Sequence, residues 1–314
     1  MFRSAFLWLS EQPRVFNFLK GSRFGRGIAS RFVAGETVEA AIEAARACEA
    51  RGIKTTLDLL GESVSSEDET YVARDEVLRT IDAMADGGLE ANVSIKLTQL
   101  GLDISESVCL ANLRQILDRA RERDAFVRID MEGSDYTGRT LEVFHRDVIP
   151  SYKGNCGVVI QSYLRRSDRD VADLIKHGAR VRLCKGAYSE HEDIAFQGRE
   201  EVDANYLALM RSLVEYGNYV AIATHDPAMI DPTIVFVKEH DIATSKFEFQ
   251  MLYGIRRDLQ DSLRARGFNV RVYIPFGTAW YPYLMRRLAE RPANVGFMMG
   301  SVVKEAFSRN DRST

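Results

Sequence analysis

Eight short runs rich in β-branched and aromatic residues, each followed by a stretch with helical spacing, constrain the fold of this chain more than any other feature. They are IKTTLDLL from Ile53, NVSIKL from Asn92, FVRIDM from Phe126, GVVIQS from Gly157, RVRLCK from Arg180, YVAIAT from Tyr219, KFEFQML from Lys246 and NVRVYIPF from Asn269. The clearest helical stretches carry Leu110, Leu113, Leu117 and Ala120 after the second run, and Val202, Tyr206, Leu209 and Leu213 after the fifth. No two runs are joined by a two-residue hairpin turn, so the pattern favours parallel crossovers over a meander. The fold class is therefore expected to be α/β, as a TIM-like (βα)8 barrel. An open doubly wound sheet is the alternative, but no run leads into the G-x-G-x-x-G turn that cradles a dinucleotide.

Residues 1–45 read as an N-terminal helical segment, with Phe2, Phe6 and Leu9 on one face and then Ala40, Ala41, Ala44 and Ala45. The barrel is expected over 46–300 and a C-terminal tail over 301–314. Among the 314 residues, 46% are apolar and 28% charged, which excludes an extensively disordered, collagen-like or disulfide-scaffold protein. A net charge of -3 argues against a nucleic-acid partner. The four cysteines form no CxxC pair, so reduced thiols and a cytoplasmic location are expected. The apolar run Ala5 to Leu9 is too short for a signal-peptide core or a membrane span.

Barrel active sites are built at the C-terminal ends of strands. Here those ends carry Asp58, Lys96, Asp130, Gln161, Lys185, Thr224 with His225, Gln250 and Tyr273. So many polar groups at one end of successive strands need partners or a ligand. Lys96 and Lys185 admit two uses, as Schiff-base amines or as ammonium groups in ion pairs, with Asp130 an available partner. Arg182 shares the strand parity of Cys184 and is expected to point into the barrel. On the last helix, Tyr283, Arg286, Arg287 and Glu290 share one face, beside an apolar stripe of Trp280, Leu284 and Leu288. Two guanidiniums there could clamp a small carboxylate, or form a surface pair with Glu290. The five histidines show no metal-ligand spacing, and no metal is expected. A divalent-metal barrel using Asp58, Asp130 and His225 is the competing arrangement.

Six segments carry a resemblance: VSIKLTQLGLD (Val93 to Asp103), VRIDMEGSDYT (Val127 to Thr137), VRLCKGAY (Val181 to Tyr188), ATHDP (Ala223 to Pro227), FEFQMLYGIR (Phe247 to Arg256) and VYIPFGTAWYPYLMRRLAERPAN (Val272 to Asn294). In this order they resemble the monofunctional bacterial proline dehydrogenases, flavoenzymes of proline catabolism. The resemblance implies a distorted (βα)8 barrel whose last helix lies over the mouth. It also implies noncovalent FAD and oxidation of L-proline to Δ1-pyrroline-5-carboxylate by hydride transfer. Electrons would pass to membrane quinone, and the product to a separate pyrroline-5-carboxylate dehydrogenase.

Carried over residue by residue, Lys96, Arg286 and Arg287 would hold the proline carboxylate and Asp130 would organise them. Leu252, Tyr273, Tyr283 and Tyr188 would wall the ring. Gln161 and Arg182 would contact the isoalloxazine, with Lys185, Gly186 and Ala187 along it. Thr224, His225, Gln250 and Glu290 would serve its ribityl and adenosine half. Gly133 and Cys184 depart from the family pattern, which bears on packing beside those strands. The chain is also expected to lack the aldehyde dehydrogenase module of fused relatives. Quinone delivery would place the protein peripherally on the inner face of the cell membrane, with Phe2 to Leu19 as the docking stretch or, alternatively, a cap on the barrel.

Overall fold

Eight strands occupy the eight anticipated runs: β1 Lys54–Leu59, β2 Asn92–Ile95, β3 Phe126–Ile129, β4 Cys156–Gln161, β5 Arg180–Cys184, β6 Tyr219–Ala223, β7 Phe247–Leu252 and β8 Val270–Phe276. In this computed structural model, which describes residues 30–61, 64–188 and 190–290 (backbone alone for 286–290), they pair in parallel and in chain order. β8 closes onto β1 with Thr56 opposite Tyr273 and Asp58 opposite Pro275, so the sheet has no free edge. The barrel expectation holds and the open-sheet alternative falls.

Strand alternation sorts two chemistries onto two buried faces. Outward positions such as Leu57, Val93, Ile129, Ile160, Val181, Ile222, Phe249 and Ile274 are almost fully buried beneath the helices and make up the main core. Inward positions are polar: Asn92, Ser94, Arg128, Arg182, Glu248, Gln250 and Arg271 are all buried. Barrel interiors are usually filled by branched aliphatic residues. Here Arg271 bonds Glu248 at 2.9 and 3.1 Å, Glu90 at 2.6 Å and the Thr55 carbonyl at 2.7 Å. Arg128 donates to the carbonyls of Val158 and Arg180. It fits because the facing residue is Gly157, where an added Cβ would lie 2.5 Å from Arg128 Nη1 and 2.4 Å from the Arg180 carbonyl.

The helices are α1 Val38–Glu49, α2 Glu67–Asp86, α3 Glu106–Glu122, α4 Ser134–Val143, α5 Ser167–Lys176, α6 Arg199–Tyr216, α7 Pro227–Glu239, α8 Arg257–Ala265 and α9 Trp280–Glu290. The boundary expected at residue 45 falls inside α1, whose Ala41, Ala44 and Ala45 are buried in the main core, so α1 is part of the barrel unit. Residues 1–29 and the tail expected over 301–314 lie outside the described residues. The helical faces of α3 and α6 are as anticipated, with Leu113, Leu117 and Ala120, and Tyr206, Leu209 and Leu213, buried. After α4 the helix widens into a π turn over Phe144–Val148 before a short last turn, Ile149–Tyr152. Pro150 explains it, since a proline cannot donate to, and clashes with, the carbonyl four residues back.

α9 lies across the C-terminal end of the barrel. Its first turns bury Trp280, Tyr281, Tyr283, Leu284 and Met285 in a separate cluster with Phe32, Val33 and Leu60. The Trp280 indole donates to Glu36 at 3.1 Å.

The Glu248–Arg271 pair sets an acid limit on stability. Burial works to raise the Glu248 carboxyl, but Arg271, Gln250 and Tyr219 together hold it down at about 2. Because the folded value lies below the ordinary one near 4.5, its contribution is complete at neutral pH and is lost as pH falls from that range toward 2. Glu248→Ala is expected to cost roughly 3–5 kcal/mol at pH 7 by stranding a buried guanidinium, and to flatten that acid limb. Urea unfolding at pH 7 and pH 3 checks both.

Candidate active site

The polar strand ends converge on a cavity of about 470 Å³ at the C-terminal mouth of the barrel. At its centre Asp130, just past β3, receives hydrogen bonds from three other strands: Arg182 Nη1 at 2.6 Å, the Tyr273 hydroxyl at 2.8 Å and Ser94 Oγ at 3.2 Å. Arg182 also bonds Ser94 at 3.2 Å, and its guanidinium lies 5.2 Å from the Tyr273 ring centre. Burial first, and the charges of Asp130 and Asp58 next, push the Tyr273 phenol well above its ordinary range, so it stays protonated and donates.

Lys96 pairs with Asp130, the partner the sequence offered, and more closely with a second carboxylate. Its ammonium lies 3.0 Å from Asp58 and 3.8 Å from Asp130. Asp58, at the end of β1, is therefore the principal partner; Asp130 is committed chiefly to Arg182 and Tyr273. Burial raises the Asp58 carboxyl, with Lys96 opposing. Of the two uses the sequence left open for Lys96, the geometry matches the ion pair. Lys185 is likewise ion-paired, 2.9 Å from Asp226 and in contact with Asp203.

One wall of the cavity is built by β4, β5 and the loop after β5. Gln161 donates to the Glu132 carbonyl at 2.9 Å and lines the cavity with Arg182, Lys185, Gly186, Ala187 and Tyr188. Gly186 adopts a φ of +105°, and a Cβ there would come within 2.1 Å of the Tyr163 ring, so the chain lies flat on that ring only as glycine. The loop is tied down by Glu190, whose carboxylate accepts from the Ser134 amide at 2.8 Å and the Ser134 hydroxyl at 2.6 Å. It thereby caps α4, whose N-cap residue, Gly133, has no side chain to do so.

The opposite wall comes from β6, β7, β8 and α9. Thr224, His225, Gln250, Leu252, Tyr273 and Tyr283 all line it. His225 Nε2 accepts the Leu252 amide at 2.8 Å, and since an amide can only donate, the ring proton sits on Nδ1. Thr224 Oγ1 accepts the Asp226 amide at 3.1 Å, and Asp226 in turn caps α7 by accepting from Ala228 with Pro227 in the first turn. Partial burial works to raise Asp226, but Lys185 and the Ala228 amide hold it below the usual carboxylate range. Gln250 is turned toward Glu248, donating at 2.6 Å. Arg286, Arg287 and Glu290 fall on α9, and their side chains lie outside the described residues.

Every sequence-selected site residue with a described side chain thus lines one cavity. Sequence reasoning passed over Ser94, Met131 and Phe32 as site residues, and noted Cys184 only for its strand parity and its departure from the family pattern. Ser94 shares strand parity with Lys96, and that alternation could have flagged it. Phe32 precedes the first strand and reaches the mouth only through tertiary packing. The proposed metal trio of Asp58, Asp130 and His225 does not form, since the two carboxylates are engaged with Lys96 and Arg182 and His225 with Leu252.

A closed barrel with a partly apolar cavity at its C-terminal mouth, lined by matched ionic groups and tyrosines, defines an enzyme for a small polar molecule. The model of the proline dehydrogenase family matches residues 41–300. Proline dehydrogenase 1 of Bacillus subtilis is 40% identical over 307 residues, 97% of this chain and 100% of the relative. The proline dehydrogenase of Deinococcus radiodurans is 41% identical over 307 residues, 97% of this chain and 98% of the relative. Among solved structures, proline utilization A (PutA) of Bdellovibrio bacteriovorus, inactivated by N-propargylglycine, superposes with a TM-score of 0.79 at 27% identity. That match covers 90% of this chain and 34% of the other. The chain belongs to the proline dehydrogenase family and is an enzyme of that class.

Gly186→Ala is expected to lower the thermal midpoint through overpacking against Tyr163, a cost of roughly 1–3 kcal/mol. Adding Tyr163→Leu should restore the packing part but leave the strain of a positive φ. Thermal unfolding of the single and double variants measures the two parts.

Proposed function

We propose that the protein oxidises L-proline to Δ1-pyrroline-5-carboxylate with noncovalent FAD as hydride acceptor. The observation that carries this reading is the convergence of the sequence-selected residues with described side chains on one cavity, which brings ionic groups and apolar or aromatic groups together. The residues fit the cofactor: Gly186 leaves a flat ledge over Tyr163 where a Cβ would clash, and Gln161, Arg182 and Lys185 line the cavity beside it. Gln161, Arg182, Lys185, Gly186 and Ala187 would hold its ring system. Thr224, His225, Gln250 and Glu290 would hold the remainder. Bound there, FAD supplies the two-electron acceptor that side chains cannot provide.

The chain's own work is positioning. Leu252, Tyr188, Tyr273 and Tyr283 would enclose the apolar pyrrolidine ring and keep water from it. Lys96 would contact the carboxylate from one side, while Asp130 fixes the Arg182 and Tyr273 groups around it. Asp58 and Asp130 already offset Lys96 and Arg182, so a bound carboxylate needs further positive charge. Arg286 and Arg287, by the family resemblance, would supply it. The ring nitrogen must be unprotonated for its lone pair to assist loss of hydride from carbon, and solvent takes that proton before the reaction. The reading extends to membrane quinone as final acceptor and to a separate pyrroline-5-carboxylate dehydrogenase downstream, both resting on the family resemblance. Among the described residues no helix is long and apolar enough to cross a membrane, and the docking stretch Phe2 to Leu19 lies outside them.

The purified protein is expected to be yellow and to bleach anaerobically on addition of L-proline; a colourless folded protein that gains no turnover with added FAD would sink the reading. Arg286→Ala or Arg287→Ala should raise KM for proline steeply, by the equivalent of roughly 2–5 kcal/mol, and Arg→Lys should also be damaging. Unchanged KM in both alanine variants would move the anchor elsewhere. The profile of kcat/KM should climb toward alkaline pH as the substrate amine loses its proton, and stopped-flow bleaching across pH reads it directly.

A further inference from the structure

The C-terminal ends of α5 and of the π-widened helix after β3 lie at the end of the barrel opposite the mouth, because the helices return antiparallel to the strands. Here His145, Asp173 and His177 come together, each offering a donor atom, all within 4.8 Å of one another. We propose that they form a binding site for a divalent transition-metal ion of the zinc class, which clips the helix after β3 to the helix after β4.

Four observations carry the assignment. First, His145 Nε2 is already 3.0 Å from an Asp173 carboxylate oxygen, and the His145 and His177 ring centres are 5.1 Å apart. A tetrahedral ion with bonds of about 2.0–2.1 Å separates its ligands by about 3.4 Å, so only a small closing of the trio is required. Second, His177 Nδ1 lies 2.9 Å from the Asp173 backbone carbonyl. The same nitrogen lies 3.8 Å from the Asp173 carboxylate, so this backbone contact, of the kind that orients ligating histidines, holds the ring beside the other two donors. Third, two imidazoles and one carboxylate form a donor set that suits zinc, nickel or copper rather than the all-oxygen shells of calcium and magnesium. Fourth, the side chains are 28%, 46% and 45% exposed, so water can fill the remaining coordination positions. The π turn contributes as well: it starts at Phe144, whose ring meets the edge of His145 and helps fix the imidazole that faces α5. Sequence spacing could not show this site, because His145 and His177 belong to successive βα units.

The experiment uses untagged, flavin-loaded protein freed of metal by chelator and titrated with ZnCl2 near neutral pH by calorimetry, with thermal unfolding in parallel. Binding of one ion per chain in the micromolar range or tighter is expected, with a rise in the unfolding midpoint. His145→Ala or His177→Ala should weaken binding by about tenfold or more. The double variant His145→Gln/His177→Gln, which keeps polar side chains and is checked for folding by circular dichroism, should abolish both binding and the midpoint rise. Proline turnover without zinc should match the wild type in all variants, since the trio is remote from the mouth. Absence of stoichiometric binding would overturn the proposal and leave a hydrogen-bonded His–Asp–His surface cluster. Binding that persists undiminished in the double variant would overturn it equally, by placing the ion elsewhere.

Discussion

One carboxylate holds the barrel mouth together. Asp130, on the third strand unit, takes hydrogen bonds from side chains of the second, fifth and eighth strands, so groups on four of the eight strands are fixed against a single centre. The cost of burying it is offset only while those donors stay in place. Removing it would leave Arg182, 6% exposed, with its charge uncompensated, and such a loss costs more than the pair itself contributes. The same bonds orient Tyr273 and Arg182 toward the cavity. Fold integrity and site geometry therefore share one interaction.

The polar interior extends this dependence downward. Arg128 has no carboxylate at bonding distance among its described hydrogen bonds; it is held by two backbone carbonyls, and burial together with Arg182 and Arg180 pulls it down to about 9. It remains charged at neutral pH. Apolar burial, which stabilises most barrels from inside and outside, here comes mainly from the outward strand faces against the helices. Each inward charge is placed by geometry rather than by hydrophobic packing, and Gly157 is the clearest sign of it: the space a side chain would take belongs to the Arg128 guanidinium.

Much of this was legible in the sequence, and the reason is periodicity. Strand runs such as RVRLC and VRVYIPF alternate apolar with polar residues, so strand position, parity and the polar C-terminal ends could all be read in one pass. Partner choice was not legible. Asp130 is an available partner of Lys96 in the sequence and does pair with it, but the closer partner is Asp58, because the pairing of β1 with β2, which puts Asp58 beside Ser94, depends on barrel register. In the sequence Gly133 stands out only as a departure from the family pattern, and in the structure it opens α4 without a side-chain cap of its own. That its cap arrives from Glu190, in the loop after β5, is a tertiary fact with no local signature. The histidines illustrate the same limit, since residues from two helices make a cluster that neither helix announces alone.

On the proposed reading, the charges at the mouth divide the work between two parts of the fold. Asp58 and Asp130 stand against Lys96 and Arg182, and Asp203 and Asp226 stand against Lys185 and Arg199, so the described wall brings balanced charge to an incoming anion. A balanced wall can orient a small zwitterion but adds little net attraction for a carboxylate. That attraction must come from an element outside the network, and α9 carries the two arginines. The seat of α9 is hydrophobic: Trp280, Tyr281 and Leu284 pack with Phe32 and Val33, and the indole bonds Glu36. The segment before the first strand thus seats the start of α9 over the mouth, and on that reading it would set where the anchor stands relative to the ionic wall.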